Sequence, residues 1–259
     1  MPSAVRHLRQ LVSDRQVLVV GSAASGIFPE YVDEDWVVLC VNGSFKCLPQ
    51  SYAGLRVGLI TDAEQLIPHP KNPSRVNARQ GWTQVVNSGV FGITSNRLGL
   101  SRLNLDSDED LRLQFKGRVG LGQMRRILYK QTLVPQLGSW PWGLVSTGFK
   151  AIALSLYAGA ASVSMTGFTL QEKSESHHGG HGYTEPEEFT NSTDPKKPRT
   201  HSASDALLLS AIACRGERRL TSLEGNLDFA LRSYFDEPPS FGPIRTSLTR
   251  LLHSSFAPW

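Results

Sequence analysis

The sequence has no apolar run that approaches the roughly 18 residues needed for a transmembrane helix. Its N-terminal segment, MPSAVRHLRQLV, is positively charged but has no apolar core, so we expect no secretory signal peptide. There are only 3 cysteines, an odd number with no metal-ligand spacing. Cys40 and Cys214 lie in apolar runs and are predicted to be inert core thiols. This cysteine usage favours a protein of the reducing cytoplasm.

There is little excess of either charge: charged residues make up 19% of the chain, which is ordinary for a soluble globular protein, and 27 basic against 23 acidic residues leave a net charge of +4. This mild excess falls short of the composition of nucleic-acid-binding proteins, so we expect no nucleic-acid partner. It suits an enzyme with anionic substrates, or one that contacts an anionic membrane surface. Hydrophobic residues make up 40% of 259 residues, which is enough for a core in one large domain or two small ones.

Short continuous apolar runs alternate with connectors that are mostly longer and more polar. Runs at 16–20, 36–41, 56–60 and 84–93 are typical of parallel strands buried on both faces. An amphipathic pattern at 3–13 predicts a first helix, and a capped apolar segment at 146–158 predicts a second, followed by a strand at 161–165. This alternation indicates a single α/β domain over 1–259, with a Rossmann-like parallel sheet flanked by helices.

Three further segments depart from the strand–helix pattern. Residues 95–140 mix charges and leucines irregularly and are interpreted as a helical or mixed insertion on the substrate side. Residues 170–200 are polar and aperiodic, which predicts a flexible lid loop, with a helix at 202–215 and a short strand at 220–223 after it. The tail at 240–259 fits either a helix docked on the core or a basic amphipathic segment that touches a membrane.

The first strand ends in the small-residue turn GSAASG, which begins at Gly21. Glycine lets the backbone turn sharply, and Ser22 and Ser25 are small enough for a ligand to approach the amides. If a helix begins there, its free N–H groups favour a phosphate. The spacing matches neither the dinucleotide fingerprint nor a P-loop, so a plain tight turn explains the block equally well.

Polar residues follow other predicted strands and open the second helix. Asn42 comes directly after the strand at 36–41, and Thr61 follows the third strand. Parallel sheets bind ligands at these strand ends. An Asx-turn is the alternative explanation for Asn42. Ser146, Thr147 and Gly148 precede the helix and resemble a cradle for a phosphate or carboxylate. An ordinary helix N-cap explains the same three residues.

One histidine, His201, stands at the start of the helix predicted at 202–215. A helix N-terminus disfavours imidazolium, so His201 is a candidate general base; an exposed histidine in the capping region is the alternative. The cluster of His177, His178 and His181 lies in a glycine-rich loop without a fixed partner, so we predict no metal site there.

These blocks resemble, in order and texture, the sialyltransferases of the small bacterial inverting type. The matching segments are VLVVGSAASG at 17–26, LCVNGSF around Asn42, the Ser146 turn, the strand that ends in Thr166 and Gly167, and His201 before a helix. The family has Asn where Ser22 stands here, and a pair of lid tyrosines where this chain offers Tyr183. These departures leave the donor open between CMP-sialic acid and a related CMP-activated ulosonic acid such as Kdo.

The resemblance implies a glycosyltransferase-A-like variant of the α/β fold and an inverting transfer that uses a CMP-sugar and no metal or other cofactor. His201 would deprotonate the acceptor, and the residues that would hold the donor are Gly21, Ser22, Ser25, Asn42, Ser146, Thr147, Gly148, Thr166, Gly167 and Tyr183. The implied acceptor is a glycan or glycolipid such as lipopolysaccharide, modified in the cytoplasm with peripheral contact to the inner membrane. Another Rossmann-type nucleotide-binding transferase or hydrolase, or a non-catalytic nucleotide-binding module, remains an alternative.

Overall fold

The computed structural model describes residues 3–21, 28–61, 66, 74–94, 99–109, 111, 127, 146–168, 212 and 219–223. Its helices are α1 (Ser3–Val12), α2 (Ser74–Val85) and α3 (Thr147–Ala158), with a 3₁₀ helix at Asn42–Cys47. Its strands are β1 (Gln16–Val20), β2 (Trp36–Val41), β3 (Leu55–Thr61), β4 (Gly89–Thr94), β5 (Gly99–Leu103), β6 (Ser162–Thr166) and β7 (Leu220–Ser222). No helix in these ranges is long and apolar enough to cross a membrane.

The strands form one sheet in the order β5-β4-β3-β2-β1-β6-β7. All neighbouring strands are parallel except β4 and β5, which are antiparallel. The predicted α/β class with a mostly parallel sheet is therefore confirmed. β1 lies between β2 and β6, and Val17, Leu18, Val19 and Val20 are all buried, as expected for a strand covered on both faces.

Helices cover both faces of the sheet. Strand residues such as Val19, Leu39 and Met165 point to the face covered by α1 and α3, where they join Leu8 and Ile152 in one apolar cluster. Alternate strand residues build a second cluster on the opposite face, against the 3₁₀ helix and α2. The fold is thus a three-layer α/β/α arrangement, which follows from the period of two along each strand.

A glycine in β3 allows α2 to pack closely on the second face. A Cβ at Gly58 would lie 2.4 Å from Cζ3 of Trp82, so the indole of Trp82 lies directly on the strand backbone. The Trp82 ring also contacts the Phe45 ring, with 4.6 Å between the ring centroids. These contacts join α2 and the 3₁₀ helix to the middle of β3.

Two segments differ from the sequence prediction. The strand predicted at 84–93 begins only at Gly89. Val85 is instead the last residue of α2, and the side chains of Val85 and Val86 pack against the second cluster. Asn87 then ends the turn: its Oδ1 accepts a hydrogen bond from the Arg56 backbone N–H at 2.8 Å. In the segment predicted as an insertion, Gly99–Leu103 is the antiparallel edge strand β5. The described part of 95–140 is 99–109, 111 and 127; the lid at 170–200 and the tail at 240–259 lie outside the described residues.

Candidate functional site

The carboxyl ends of β1, β2, β3 and β6 lie at one edge of the sheet, since these strands are parallel neighbours. The chain runs from β1 outward through β2, β3 and β4, and β6 pairs with the other side of β1. The gap between β1 and β6 is therefore a topological switch point, the place where open α/β sheets bind ligands. Most of the site residues predicted from the sequence within the described ranges end one of these strands.

Two glycines meet where β1 and β6 end. The Gly21 N–H donates to the Thr166 carbonyl at 2.8 Å, which continues the sheet by one residue. A Cβ at Gly21 would lie 2.2 Å from the Gly167 carbonyl oxygen, and a Cβ at Gly167 would lie 2.8 Å from that of Gly21. Gly167 also has φ of +73°, a left-handed conformation that favours glycine. The two backbones are in direct contact, which explains both glycines without a ligand.

Asn42 begins the 3₁₀ helix after β2 and has φ of +51°, which asparagine tolerates better than most residues. Its Oδ1 accepts a hydrogen bond from the Thr61 backbone N–H at 3.1 Å, so its side chain reaches from the end of β2 to the end of β3. Within the described part of the chain, nothing accepts a hydrogen bond from its Nδ2 group. Among the described residues, the two N–H donors of this half-buried amide are therefore without an acceptor.

Ser44 is a structural residue of this edge that the sequence analysis did not identify. Its side chain is fully buried, and its Oγ accepts from the Val41 N–H at 2.8 Å and donates to the Val20 carbonyl at 2.7 Å. The hydroxyl thus joins the ends of β1 and β2. A serine two positions after Asn42 was the only sequence signal for this contact.

The N-terminus of α3 reaches the same edge. The Ser146 Oγ accepts from the Phe149 N–H at 3.3 Å, so Ser146 is an N-cap, the alternative considered for this block. The hydroxyls of Thr147 and Thr61 are hydrogen-bonded at 2.5 Å, which joins α3 to the end of β3. The Thr147 and Gly148 amides, at the start of the helix, have no acceptor within it. The N-cap explains Ser146 by itself, so anion binding at the Thr147 and Gly148 amides stays a prediction.

The ring of Phe168 connects the two halves of the edge. A Cβ at Gly148 would lie 2.1 Å from Phe168 Cε1, and one at Gly21 would lie 3.4 Å from Phe168 Cδ2. The Phe149 and Phe168 rings pack edge to face with 5.4 Å between centroids. Gly148 is therefore needed for close packing of α3 against the residue that follows β6.

A buried lysine, Lys150, was also missed. It is 2% exposed, in the first turn of α3, and it is the only buried charged side chain among those whose burial the structure describes. Lysine is almost never fully buried unless it is paired. The sequence signal was a lone basic residue within the otherwise apolar stretch GFKAIAL.

The structure therefore brings together part of the predicted site. Hydrogen bonds link Asn42 to Thr61 and Thr61 to α3, and the Phe168 ring packs against both Gly148 and Gly21. The predicted residues at this edge are Gly21, Asn42, Ser146, Thr147, Gly148, Thr166 and Gly167. Four predicted residues lie outside the described ranges: Ser22, Ser25, Tyr183 and His201. Within those ranges no group of three or more His, Cys, Asp or Glu side chains is placed to hold a metal ion.

No protein-family model and no curated protein matches the sequence. Among solved structures, a variant of the sialyltransferase CST-II in complex with CMP is similar to this chain, with 11% identity, a TM-score of 0.50 and coverage of 81% of each chain. The α-2,3-sialyltransferase Cst-I from Campylobacter jejuni has 10% identity and a TM-score of 0.48, with 81% of this chain and 76% of that chain covered. The CST-II likeness shows the fold: the resemblance to bacterial sialyltransferases is confirmed at this level.

Proposed function

We propose that this protein is an inverting glycosyltransferase that takes its sugar from a CMP-activated donor. The observation that carries the proposal is the meeting of Asn42, Gly21, Gly167 and the α3 N-terminus at one carboxyl edge, in a chain with the fold of CST-II. CST-II was solved in complex with CMP, and in a further structure with a trisaccharide acceptor and CMP. We infer a nucleotide-sugar donor and a glycan acceptor for this chain as well.

The edge offers hydrogen-bond donors suited to an anion. The first amides of α3 carry the positive end of the helix dipole, which favours a phosphate or carboxylate. The Asn42 Nδ2 group adds donors from the end of β2. A CMP-ulosonic acid presents both a phosphate and a carboxylate, so we infer that α3 holds one of these groups and Asn42 contributes to the CMP site.

In the proposed reaction, His201 removes the proton from an acceptor hydroxyl. The hydroxyl oxygen attacks the anomeric carbon on the face opposite CMP, a new glycosidic bond forms, and the bond to the CMP phosphate oxygen breaks. Configuration at the anomeric carbon inverts, and Tyr183 assists the departing phosphate. We infer that the protein needs no metal for this step, because helix N–H groups and side-chain donors stabilise the leaving anion.

The donor is proposed to be CMP-sialic acid or a CMP-Kdo-type sugar, which share a carboxylate on the anomeric carbon. The acceptor is proposed to be a glycan of lipopolysaccharide or another glycolipid. The tail at 240–259 mixes aromatic, aliphatic and basic residues, which supports contact with the cytoplasmic surface of the inner membrane.

Thermal-shift measurements with CMP, UMP and AMP test the nucleotide assignment. A ligand at about 100 times its Kd stabilises a protein by about 2.7 kcal/mol, so CMP should raise the melting temperature clearly more than the other two nucleotides. Transfer assays with CMP-sialic acid and CMP-Kdo then identify the sugar. Equal shifts with all three nucleotides contradict the cytidine assignment and favour another nucleotide-binding transferase or hydrolase.

The variant His201→Ala tests the catalytic role within the same assays. General-base catalysis supplies about 10²–10⁴-fold in rate, so turnover should fall by that factor while CMP affinity is retained. His181→Ala, in the predicted lid, is the matched control and should cost far less. Loss of activity on addition of a chelator, or an essential His181, would favour a metal-dependent reaction; CMP binding without transfer would favour a non-catalytic module.

A further inference from the structure

Thr61 is hydrogen-bonded to two separate parts of the candidate site. Its backbone N–H donates to the Asn42 Oδ1 at 3.1 Å, and its Oγ1 is bonded to the Thr147 Oγ1 at 2.5 Å. Thr61 is the last residue of β3, whose neighbour β2 ends at Val41, directly before Asn42. One residue at a strand end therefore contacts both the amide after β2 and the first turn of α3.

Each hydrogen bond of Thr61 restrains one part of the candidate site, the Asn42 side chain or the first turn of α3. Asn42 has a left-handed backbone, and the hydrogen bond from the Thr61 N–H fixes its side chain in that conformation. Thr147 is 9% exposed, and a hydrogen bond to a buried hydroxyl is stronger than one in water. Without the Thr61 hydroxyl, the first turn of α3 would lose its side-chain link to β3.

We propose that Thr61 is a positioning residue, which sets the distance between the Asn42 amide and the α3 N-terminus and thereby shapes the site for the donor's anionic groups. The inference rests on the proposed function, because it assigns those two elements to one ligand. Thr61 acts through Asn42 and Thr147. A misplacement of about 1 Å can be costly in a binding site. The two elements lie at the end of β2 and at the start of α3, and Thr61 is hydrogen-bonded to both.

The variant Thr61→Val keeps the shape of the side chain and the N–H bond to Asn42, and removes only the hydroxyl. We expect the Kd for CMP and the KM for the donor to rise about five- to tenfold, with kcat within about twofold, because the loss affects ground and transition states alike. Thr61→Ser retains the hydroxyl and should restore wild-type values. Thr147→Val should match Thr61→Val, and the double variant should lose no more than either single variant.

A matched control removes a similar hydroxyl pair elsewhere in the sheet. Ser164 Oγ and Thr221 Oγ1 are hydrogen-bonded at 3.1 Å between β6 and β7. Thr221→Val should therefore leave CMP affinity and the donor KM unchanged. If Thr221→Val weakens donor binding as much as Thr61→Val does, the effect is general loosening of the fold and the positioning role is wrong.

A second measurement separates this proposal from the proposed function. Amide hydrogen exchange at Phe149 and Lys150, whose N–H groups bond to Ser146, should be about fivefold faster in Thr61→Val than in the wild type, and unchanged in Thr221→Val. Unchanged exchange in Thr61→Val overturns the positioning role. A wild-type protein that neither binds CMP nor transfers from any CMP-sugar overturns the proposed function, and with it the role of Thr61 in ligand binding. Faster exchange in Thr61→Val would still show that the Thr61 hydroxyl stabilises the first turn of α3.

Discussion

Replacing Gly167 by alanine tests whether the backbone contact between β1 and β6 shapes the fold and the site. The new methyl carbon would lie 2.8 Å from the Gly21 carbonyl oxygen, closer than the 3.0 Å that real Cβ atoms respect, and the contacting atom belongs to backbone that cannot rotate away. The residue would also keep φ of +73°, which costs a non-glycine residue about 1–2 kcal/mol. Forcing extra carbon into a packed interior adds about 1–3 kcal/mol.

Gly159 is a matched control at the opposite end of α3. It is the left-handed C-cap of that helix, with φ of +91°, and the described atoms near a Cβ there belong to the Ser13 side chain, Oγ at 3.3 Å and Cβ at 4.0 Å. Gly159→Ala should therefore lower the free energy of unfolding by about 1–2 kcal/mol, through backbone strain alone. Gly167→Ala should lower it by about 2–5 kcal/mol, because strain and overlap add.

Urea denaturation followed by circular dichroism gives the two free energies, and calorimetric titration with CMP gives the ligand affinities. Gly167→Ala should weaken CMP binding, since the shift moves the end of β1, whereas Gly159→Ala should not. Equal destabilisation by the two variants would refute the argument from backbone contact. Equal CMP affinity in a folded Gly167→Ala variant would place the ligand away from this switch point.

Two further predictions concern Asn42 and His7. Asn42→Asp keeps an oxygen that accepts from the Thr61 N–H but replaces the Nδ2 donors by a negative charge. CMP affinity should therefore fall by at least about tenfold, at nearly unchanged stability. Wild-type affinity measured by calorimetry would exclude Asn42 from the nucleotide site. Burial, and then the nearby Arg102 guanidinium, lower the pKa of His7 below its ordinary value of 6.5. The unfolded chain therefore binds the proton more tightly, and stability should decrease as pH falls below about 6.5 until the lowered pKa is passed. His7→Leu should flatten this dependence in urea denaturation; an unchanged pH profile would assign it to other groups.

Much of the fold was predictable from local pattern. The bounds of β1 and β2 were predicted correctly, because continuous apolar runs between polar connectors are typical of parallel strands. The predicted helix at 146–158 was confirmed as α3 with its N-cap at Ser146, since a hydroxyl before an apolar helical segment is a local signal. The polar residues and glycines that follow parallel strands lie at one edge, as a parallel sheet requires, and their ligand roles stay predictions.

Contacts between distant segments were not predictable in this way. The hydrogen bond of Thr61 to Thr147 and the contact of Gly21 with Gly167 depend on which strands are neighbours, and the sequence does not contain that order in any local pattern. The burial of Ser44 and Lys150 likewise depends on the elements that cover them.

Local pattern was therefore enough to identify α1, α3 and the strands β1, β2, β3 and β6, because apolar periodicity and helix caps act within a few residues. Tertiary packing made Val85 and Val86 the end of α2 and its final turn, since their contacts with the second cluster override local β-propensity. Pairing with β4 made Gly99–Leu103 an antiparallel edge strand. The tertiary structure also decided the partners of Asn42, Thr61 and Thr147, because hydrogen-bond partners far apart in sequence meet only once the strand order brings them together.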